Sequence, residues 1–109
     1  MTRNGRVVTL GNRFVSELAL AEKYVGRSSA GRGRKFVSDV FVFLFETLAP
    51  QPLAFPAYAY PTAPGIMLRR AVFRKEYVTI YEVTDFEISF VYFHHTSRSI
   101  PDLSFLADE

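Results

Sequence analysis

The chain has 109 residues, enough for one small domain with one hydrophobic core, and 49% of them are hydrophobic. It has no cysteine and two histidines, which excludes a disulfide framework, thiolate zinc sites and a cysteine nucleophile. We therefore expect neither a metal nor a cofactor. No apolar run is long enough to span a membrane, and the first residues lack the apolar core of a signal peptide. These features predict a cytoplasmic protein with no membrane partner.

The net charge of +2 is unevenly distributed along the chain. Residues 1–35 carry a net charge of +6, residues 69–75 carry +4 and residues 76–109 carry −6. Ten of the thirteen basic residues are arginine, whose planar guanidinium makes paired hydrogen bonds to phosphate or carboxylate. Two basic clusters on a small domain predict an anionic partner. A solvated surface of mixed charge is the alternative explanation.

The first third of the chain predicts a strand and a helix. Arg6–Leu10 is a short extended segment between two glycines, and Asn12 is a candidate N-cap. Apolar residues at helical spacing then predict a helix over residues 13–25, which Gly26 ends. Residues 27–35 are polar and basic, and their two glycines disfavour a helix.

The middle third predicts one long helix and one irregular segment. Phe36–Leu48 has both helical periodicity and strand propensity, and its length favours the helix. Residues 49–65 contain five of the six prolines, which remove backbone donors and predict a long loop. We expect the aromatic residues of this loop to pin it to the body of the domain, in preference to contacting a partner; they are Phe55, Tyr58 and Tyr60.

The last third predicts three antiparallel strands, because alternating apolar residues occupy residues 67–74, 77–83 and 86–93 with short breaks between them. The tail, residues 100–109, contains a proline and acidic residues and is expected to fray or to fold back. The chain is thus predicted to be a single α+β domain over residues 1–109, with an N-terminal strand, a two-helix hairpin and an antiparallel three-stranded meander.

Three segments together resemble the RelE/ParE superfamily of type II toxin–antitoxin toxins, and its ParE-like branch in particular. They are the strand pair Leu68–Val83, the His-x-x-Arg pattern at His95–Arg98, and the helix end Leu48-Ala49-Pro50. The resemblance extends over about residues 7–99. One departure concerns the turn between the paired strands, where the family often has glycine and this chain has Arg74 and Lys75.

The resemblance implies a plasmid-stabilisation toxin that a cognate antitoxin neutralises, and the superfamily offers two targets. ParE-like toxins bind and inhibit DNA gyrase, whereas RelE-like toxins cleave messenger RNA on the ribosome. The absence of a tyrosine after Arg98 favours the gyrase inhibitor, with the mRNA interferase as the alternative. A non-toxic nucleic-acid-binding or scaffold member is a second alternative, and a homodimer is possible in each case.

The candidate site residues follow from these alternatives. If the chain is a ribonuclease, the resemblance implies proton transfer by an imidazole and charge stabilisation by guanidinium groups, from His95, Arg98 and Arg69. The candidate binding residues are Arg69, Arg70, Arg74, Lys75 and His94. We expect these groups to gather at one rim of the sheet beneath the helices.

Two further expectations concern the histidines and the antitoxin. His94 and His95 are adjacent on a strand and should point to opposite faces, so that at most one joins a given site and His95 shares a face with Phe93 and Val91. The basic stretch at residues 27–35 is a candidate contact for an acidic antitoxin segment. The aromatic candidates for antitoxin contact are Tyr24, Tyr58, Tyr60, Phe55 and Phe105.

Overall fold

A computed structural model of the chain describes residues 2–3, 5–58 and 66–97. Arg98, Tyr60, Phe105 and the tail at residues 100–109 therefore lie outside the described residues. The described part is an α+β domain, as predicted, in which two helices pack on one face of a sheet. None of the helices in this part is long and apolar enough to cross a membrane. The elements are β1 (Thr2–Arg3), β2 (Arg6–Leu10), α1 (Asn12–Val25), α2 (Ala30–Val42) with a π-helical continuation (Phe43–Leu48), a 3₁₀ turn (Pro52–Ala54), β3 (Ala57–Tyr58), β4 (Leu68–Phe73), β5 (Tyr77–Val83) and β6 (Glu87–His95).

The described strands form one sheet in the order β1-β2-β6-β5-β4-β3. Strand β2 pairs with β6 in parallel, and every other neighbouring pair is antiparallel. The parallel pair is possible because α1 and α2 lie between the two strands in the chain and cover one face of the sheet. Strands β2 and β6, which lie far apart in the chain, are thereby brought side by side. Helix α1 lies over the end of β6.

The main core lies between the helices and this face of the sheet. Phe14 of α1 is fully buried, and its ring centroid lies 5.7 Å from that of Phe90 and 5.7 Å from that of Phe93 on β6. Helix α2 and its π-helical continuation bury a stripe of apolar side chains at helical spacing, namely Phe36, Val40, Leu44 and Leu48. A smaller buried cluster has formed apart from the main core and includes Leu68, Val78, Ile80, Val91 and Tyr92.

The two helix starts differ from the sequence prediction. Asn12 is not an N-cap: α1 begins at Asn12 itself, the cap residue is the extended Gly11, and no side chain caps the helix. Helix α2 begins at Ala30 and includes Gly31 and Gly33, which were expected to disfavour a helix. Gly33 is buried in the contact between the helices, so packing overrides intrinsic propensity here.

The turn between β4 and β5 has Arg74 and Lys75 where a glycine would fit the backbone conformation more easily. Arg74 and Lys75 have φ values of 55° and 63°, and the amide of Glu76 donates to the carbonyl of Phe73 at 3.3 Å. Positive φ at both central residues is the pattern of a type I′ hairpin turn, which glycine and asparagine favour. Two residues with long side chains therefore adopt a left-handed conformation in this turn.

The proline-rich loop is held to the body of the domain, as predicted for Phe55. The Phe55 ring packs edge-on against Phe43 and Tyr81, with centroid distances of 6.4 and 6.5 Å. The buried Tyr81 hydroxyl donates to the carbonyl of Pro52 at 2.6 Å. Tyr58 packs against the smaller buried cluster and belongs to β3, a strand that sequence reasoning missed because two residues carry no alternation.

A β-bulge in β6 changes the faces expected for its side chains. Ile80 pairs with Tyr92 while Tyr81 pairs with Phe90, so that Val91 is an extra residue on β6. The inserted residue shifts the alternation, and Phe90 and Phe93 both belong to the main core whereas Val91 belongs to the smaller cluster. The prediction that His95 shares a face with Phe93 and Val91 is therefore wrong for Val91.

Candidate functional site

A cavity of about 300 Å³ lies between α1 and the end of β6, and we call it the imidazole cavity. Strand β2 ends at Leu10, which pairs with Phe90, so in the described residues the rest of β6 has only β5 as a partner strand. This end of β6 faces α1 instead. The residues of α1 that line the cavity recur at helical spacing. The cavity is lined by Glu17, Leu20, Ala21, Tyr24, Tyr77, Phe93, His94, His95 and Ser97.

Both histidines line this cavity, although at most one was expected to do so. The expectation failed because, among the described residues, no strand pairs with this end of β6 on its α1 side, so side chains of both orientations reach the same space. His94 is 6% exposed, and its Nδ1 lies 2.7 Å from the carbonyl oxygen of His95. A carbonyl only accepts, so Nδ1 of His94 carries a hydrogen and donates it.

His95 is oriented by Ser97, two residues along the chain. The backbone N–H of Ser97 donates to Nδ1 of His95 at 3.1 Å, so the neutral ring carries its hydrogen on Nε2. The Ser97 hydroxyl lies 2.8 Å from the same Nδ1. A hydroxyl can donate or accept, so this contact suits the neutral ring and also suits the imidazolium, whose Nδ1–H would donate to it.

Tyr77 forms the wall of the cavity next to His95. Its ring stacks on Phe93 with a centroid distance of 5.3 Å, and the His95 ring meets it edge to face at 5.2 Å. Burial raises the pKa of the Tyr77 phenol, and the negative charge of Glu76 raises it further. The phenol is therefore protonated at neutral pH and has a hydrogen to donate.

Glu17 brings a carboxylate to the opposite wall. The hydroxyl of Tyr92 donates to Oε1 of Glu17 at 3.0 Å, and the guanidinium of Arg13 lies over the Tyr92 ring, 5.5 Å from its centroid. Burial raises the pKa of Tyr92, and the hydrogen bond to Glu17 adds to this effect. Tyr92 thus stays neutral and positions the Glu17 carboxylate at the cavity.

The structure does not bring Arg69 and Arg70 to the histidines, which corrects the prediction of a single rim. Arg69 pairs with Tyr81, whereas His95 pairs with Tyr77, so the two positions differ by four residues, roughly 13 Å, along β5. Arg69 is partly buried, and its Nη1 donates to the carbonyl of Phe55 at 2.7 Å, which makes it a brace for the proline-rich loop. Arg70 is exposed on the same strand, and Arg98 lies outside the described residues.

The turn residues Arg74 and Lys75 do lie at the same end of the sheet as His95, because Phe73 pairs with Tyr77 and Tyr77 pairs with His95. Arg74 forms an ion pair with Asp39 of α2, and Lys35 lies 3.1 Å from the same carboxylate. The hydrogen bond from Arg74, followed by that from Lys35, lowers the pKa of Asp39. Lys75 is exposed in the turn.

A second cavity, of about 220 Å³, lies beside this ion pair, and we call it the basic cavity. It joins Arg74 to two residues from the basic stretch at 27–35, which sequence reasoning had assigned to a contact with the antitoxin. Phe36 forms part of its lining and packs against Tyr77 with a centroid distance of 5.0 Å, so the two cavities are close neighbours. The basic cavity is lined by Val25, Arg32, Lys35, Phe36, Asp39 and Arg74.

Sequence reasoning missed three residues that bring polar groups to the imidazole cavity: Glu17, Tyr77 and Ser97. A signal existed for Glu17, which lies seven residues before Tyr24 on α1 and so shares its face. A signal existed for Ser97 in its position two residues after His95, a spacing at which a serine hydroxyl reaches back to a neighbouring side chain. Tyr77 was assigned to its strand without a role in the site.

No protein-family model matches the sequence, and a search of curated proteins finds no match. Among solved structures, the fold is similar to that of YafQ from E. coli strain BL21(DE3), with a TM-score of 0.52 and 17% sequence identity. The match covers 84% of this chain and 94% of YafQ. At this identity the similarity shows the fold alone, and the predicted α+β architecture is confirmed.

Proposed function

We propose that this chain is the toxin of a type II toxin–antitoxin system and that it acts as an endoribonuclease on ribosome-bound messenger RNA. The similarity to YafQ supports the toxin assignment through the fold. The observation that carries the nuclease assignment is the imidazole of His95, oriented through Nδ1 by Ser97 in a cavity that also holds a carboxylate and two phenols. A cytoplasmic location and a cognate antitoxin belong to the same proposal.

The proposed reaction is an internal displacement at phosphorus. The 2′-oxygen of the RNA forms a bond to phosphorus while the bond from phosphorus to the 5′-oxygen breaks. The carboxylate of Glu17 takes the proton from the 2′-hydroxyl, and the imidazolium of His95 gives its Nε2 proton to the departing 5′-oxygen. The products are a 2′,3′-cyclic phosphate and a 5′-hydroxyl, so atoms and protons balance.

The remaining residues of the cavity have supporting roles in this reaction. In the His95 imidazolium, Nδ1–H donates to the Ser97 hydroxyl, and the backbone N–H of Ser97 gives up the bond that it makes to the neutral ring. The Tyr77 phenol is a hydrogen-bond donor for a phosphate oxygen. The sequence resemblance implies that Arg98 supplies positive charge to the phosphate, and this role stays a prediction.

A gyrase inhibitor is the second candidate, and one observation favours it. The residues that line the imidazole cavity in the described part of the chain include no arginine or lysine. Two of the four guanidiniums expected to hold phosphate, those of Arg69 and Arg74, are engaged with the Phe55 carbonyl and Asp39. A toxin that acts by binding alone needs no cationic side chain next to a histidine to bind phosphate. This arrangement is therefore compatible with a non-catalytic surface.

Induced expression in E. coli distinguishes these candidates. Growth, the 5′ ends of cellular transcripts and the supercoiling of a reporter plasmid are measured in the same cultures. The nuclease proposal predicts growth arrest with new 5′-hydroxyl ends inside messages, unchanged supercoiling, and loss of all effects in His95→Ala. Glu46→Gln, an exposed change on the π-helical segment, is the matched control and should remain toxic.

Two other outcomes contradict the nuclease proposal, and a third contradicts the role of His95. Arrest with intact transcripts and altered supercoiling supports the gyrase inhibitor. No arrest at verified expression supports a non-toxic member of the fold. Message cleavage that persists in His95→Ala removes His95 from the mechanism.

A further inference from the structure

Tyr24 is a large aromatic residue that the fold leaves in solvent beside the imidazole cavity. It lies in the last turn of α1 and is 62% exposed, although its side chain lines the cavity together with Tyr77 and His95. Exposing an aromatic ring forgoes the stabilisation that burial would give it. Its place at a cavity leaves the ring available to contact a ligand bound there.

Arg27 covers one face of this ring. Its guanidinium carbon lies 4.1 Å from the Tyr24 ring centroid, and its Nη1 donates to the Tyr24 carbonyl at 2.7 Å. The hydrogen bond fixes the guanidinium over the ring before any ligand arrives. Arg27 does not line the imidazole cavity; it lines a separate depression together with Glu22 and Lys23.

We propose that Tyr24 and Arg27 form a stacking platform for one nucleobase of single-stranded RNA, in the nucleotide next to the bond that is cleaved. This inference rests on the proposed nuclease function and adds a binding subsite to it. The base lies on the cavity side of the Tyr24 ring, so the phenol is held between a nucleobase and a guanidinium. Aromatic stacking accepts every base because each has a π-face, and the cation behind the ring strengthens it.

The charge around the platform fits the same ligand. Lys23 and Arg27 are exposed at the end of α1, and the basic cavity adds Arg32 and Lys35 from α2. Single-stranded RNA presents bases for stacking and a phosphate chain that such cations attract. A strand whose base stacks on Tyr24 is thus flanked by His95 on one side and by basic side chains on the other.

Binding of a non-cleavable RNA tests the platform apart from catalysis. The probe is a short fluorescein-labelled oligoadenylate with 2′-O-methyl groups, which lacks the attacking hydroxyl, and the readout is fluorescence anisotropy at low salt. Tyr24→Ala should weaken binding about tenfold or more, the range measured for loss of one stacked base. Tyr24→Phe keeps the ring and should stay within about twofold of the parent.

Two controls make the result specific to this ring. Phe86→Ala removes another exposed aromatic residue, 78% exposed at the β5–β6 turn, at the opposite end of β6 from His95, and should leave affinity unchanged. An oligonucleotide of abasic residues should bind the parent and Tyr24→Ala equally, because it has nothing to stack. Equal binding of oligoadenylate by the parent and Tyr24→Ala overturns the inference.

The inference and the proposed function fail in different ways. If transcripts are cleaved in cells while Tyr24→Ala binds oligoadenylate like the parent, the nuclease stands and the platform is wrong. If Tyr24→Ala loses binding while no transcript is cleaved, the stacking of a base on Tyr24 stands, whereas the nuclease and the place of that base next to a cleaved bond are wrong. Circular dichroism of each variant establishes that lost binding is not lost folding.

Discussion

Gly33 of α2 lies directly against the backbone carbonyl of Glu22 in α1, so close that a Cβ at position 33 would stand 2.8 Å from that oxygen. Real Cβ atoms essentially never approach so closely, and the obstacle is backbone that cannot swing aside. The same pseudo-Cβ would lie 3.3 Å from the Cα of Gly26. The close approach of the two helices, which places Glu22 and Tyr24 relative to the sheet, therefore depends on the missing side chain.

Gly33→Ala should destabilise the protein even though alanine is the better helix former. We expect the free energy of unfolding to fall by about 1 to 3 kcal/mol, the usual cost of overpacking a tight contact. Gly31→Ala is the matched control in the same helix, because a Cβ there meets only side-chain atoms at 3.7 and 3.8 Å. It should raise the free energy of unfolding by about 0.5 to 1 kcal/mol. Urea denaturation measures both, and a Gly33→Ala variant more stable than the parent would contradict the packing account.

Lys75→Gly should stabilise the β4–β5 hairpin. Lys75 has a φ of 63°, a conformation that costs an L-residue roughly 1–2 kcal/mol and costs glycine little. Because glycine also gains entropy in the unfolded chain, the net increase in unfolding free energy should be about 0.5 to 1 kcal/mol. Glu76→Gly, at the next position and without a positive φ, should lower it by about the same amount. Thermal unfolding of the two variants measures both changes in unfolding free energy. Changes of the same sign would contradict backbone strain at Lys75.

Stability should fall at high pH because of Tyr81. Burial raises the pKa of its phenol to about 12, whereas the unfolded chain has the ordinary value of 10.0. The folded state therefore holds a proton that the unfolded state releases. The stabilisation is complete below pH about 10 and is lost as the pH rises toward about 12.

Tyr81→Phe tests both the hydrogen bond and the titration. At neutral pH it should lower the free energy of unfolding by about 1 to 2 kcal/mol, because the Pro52 carbonyl loses its donor. Its stability should then decline less steeply than that of the parent above pH about 10, since the titrating group is gone. Urea denaturation across this range gives the two slopes. Parallel slopes would mean that Tyr81 does not contribute to the alkaline loss.

Local patterns predicted the elements well. Alternation located the strands, and helical periodicity with length correctly favoured a helix over Phe36–Leu48. Prediction from helix propensity failed at Gly33, where a close contact between the two helices outweighs the intrinsic cost of glycine in a helix. Prediction from local pattern failed again at the two-residue strand β3, which is recognisable only from its pairing with β4.

The site was harder to predict because it depends on register and on a bulge. The extra residue Val91 changes the faces of the strand that carries both histidines, and nothing in the local sequence marks it. Arg69 seemed available for phosphate, yet the register places it at the far end of the sheet, where it holds the Phe55 carbonyl. Pairing across strands is decided by the whole sheet, so the pattern near the chain end that singled out His95 did not indicate which residues surround it.

The central claim is that the Nε2 proton of His95 goes to the 5′-oxygen that leaves in RNA cleavage. Ribosomes are programmed with a message whose mapped cleavage site carries either a normal linkage or a bridging 5′-sulfur, which leaves without needing a proton. The rates for the parent and His95→Ala are compared on both messages. We predict that His95→Ala slows cleavage of the oxygen linkage by about a hundredfold or more and leaves the sulfur linkage nearly unaffected. An equal loss on both linkages, or no cleavage of either by the parent protein, would contradict this account.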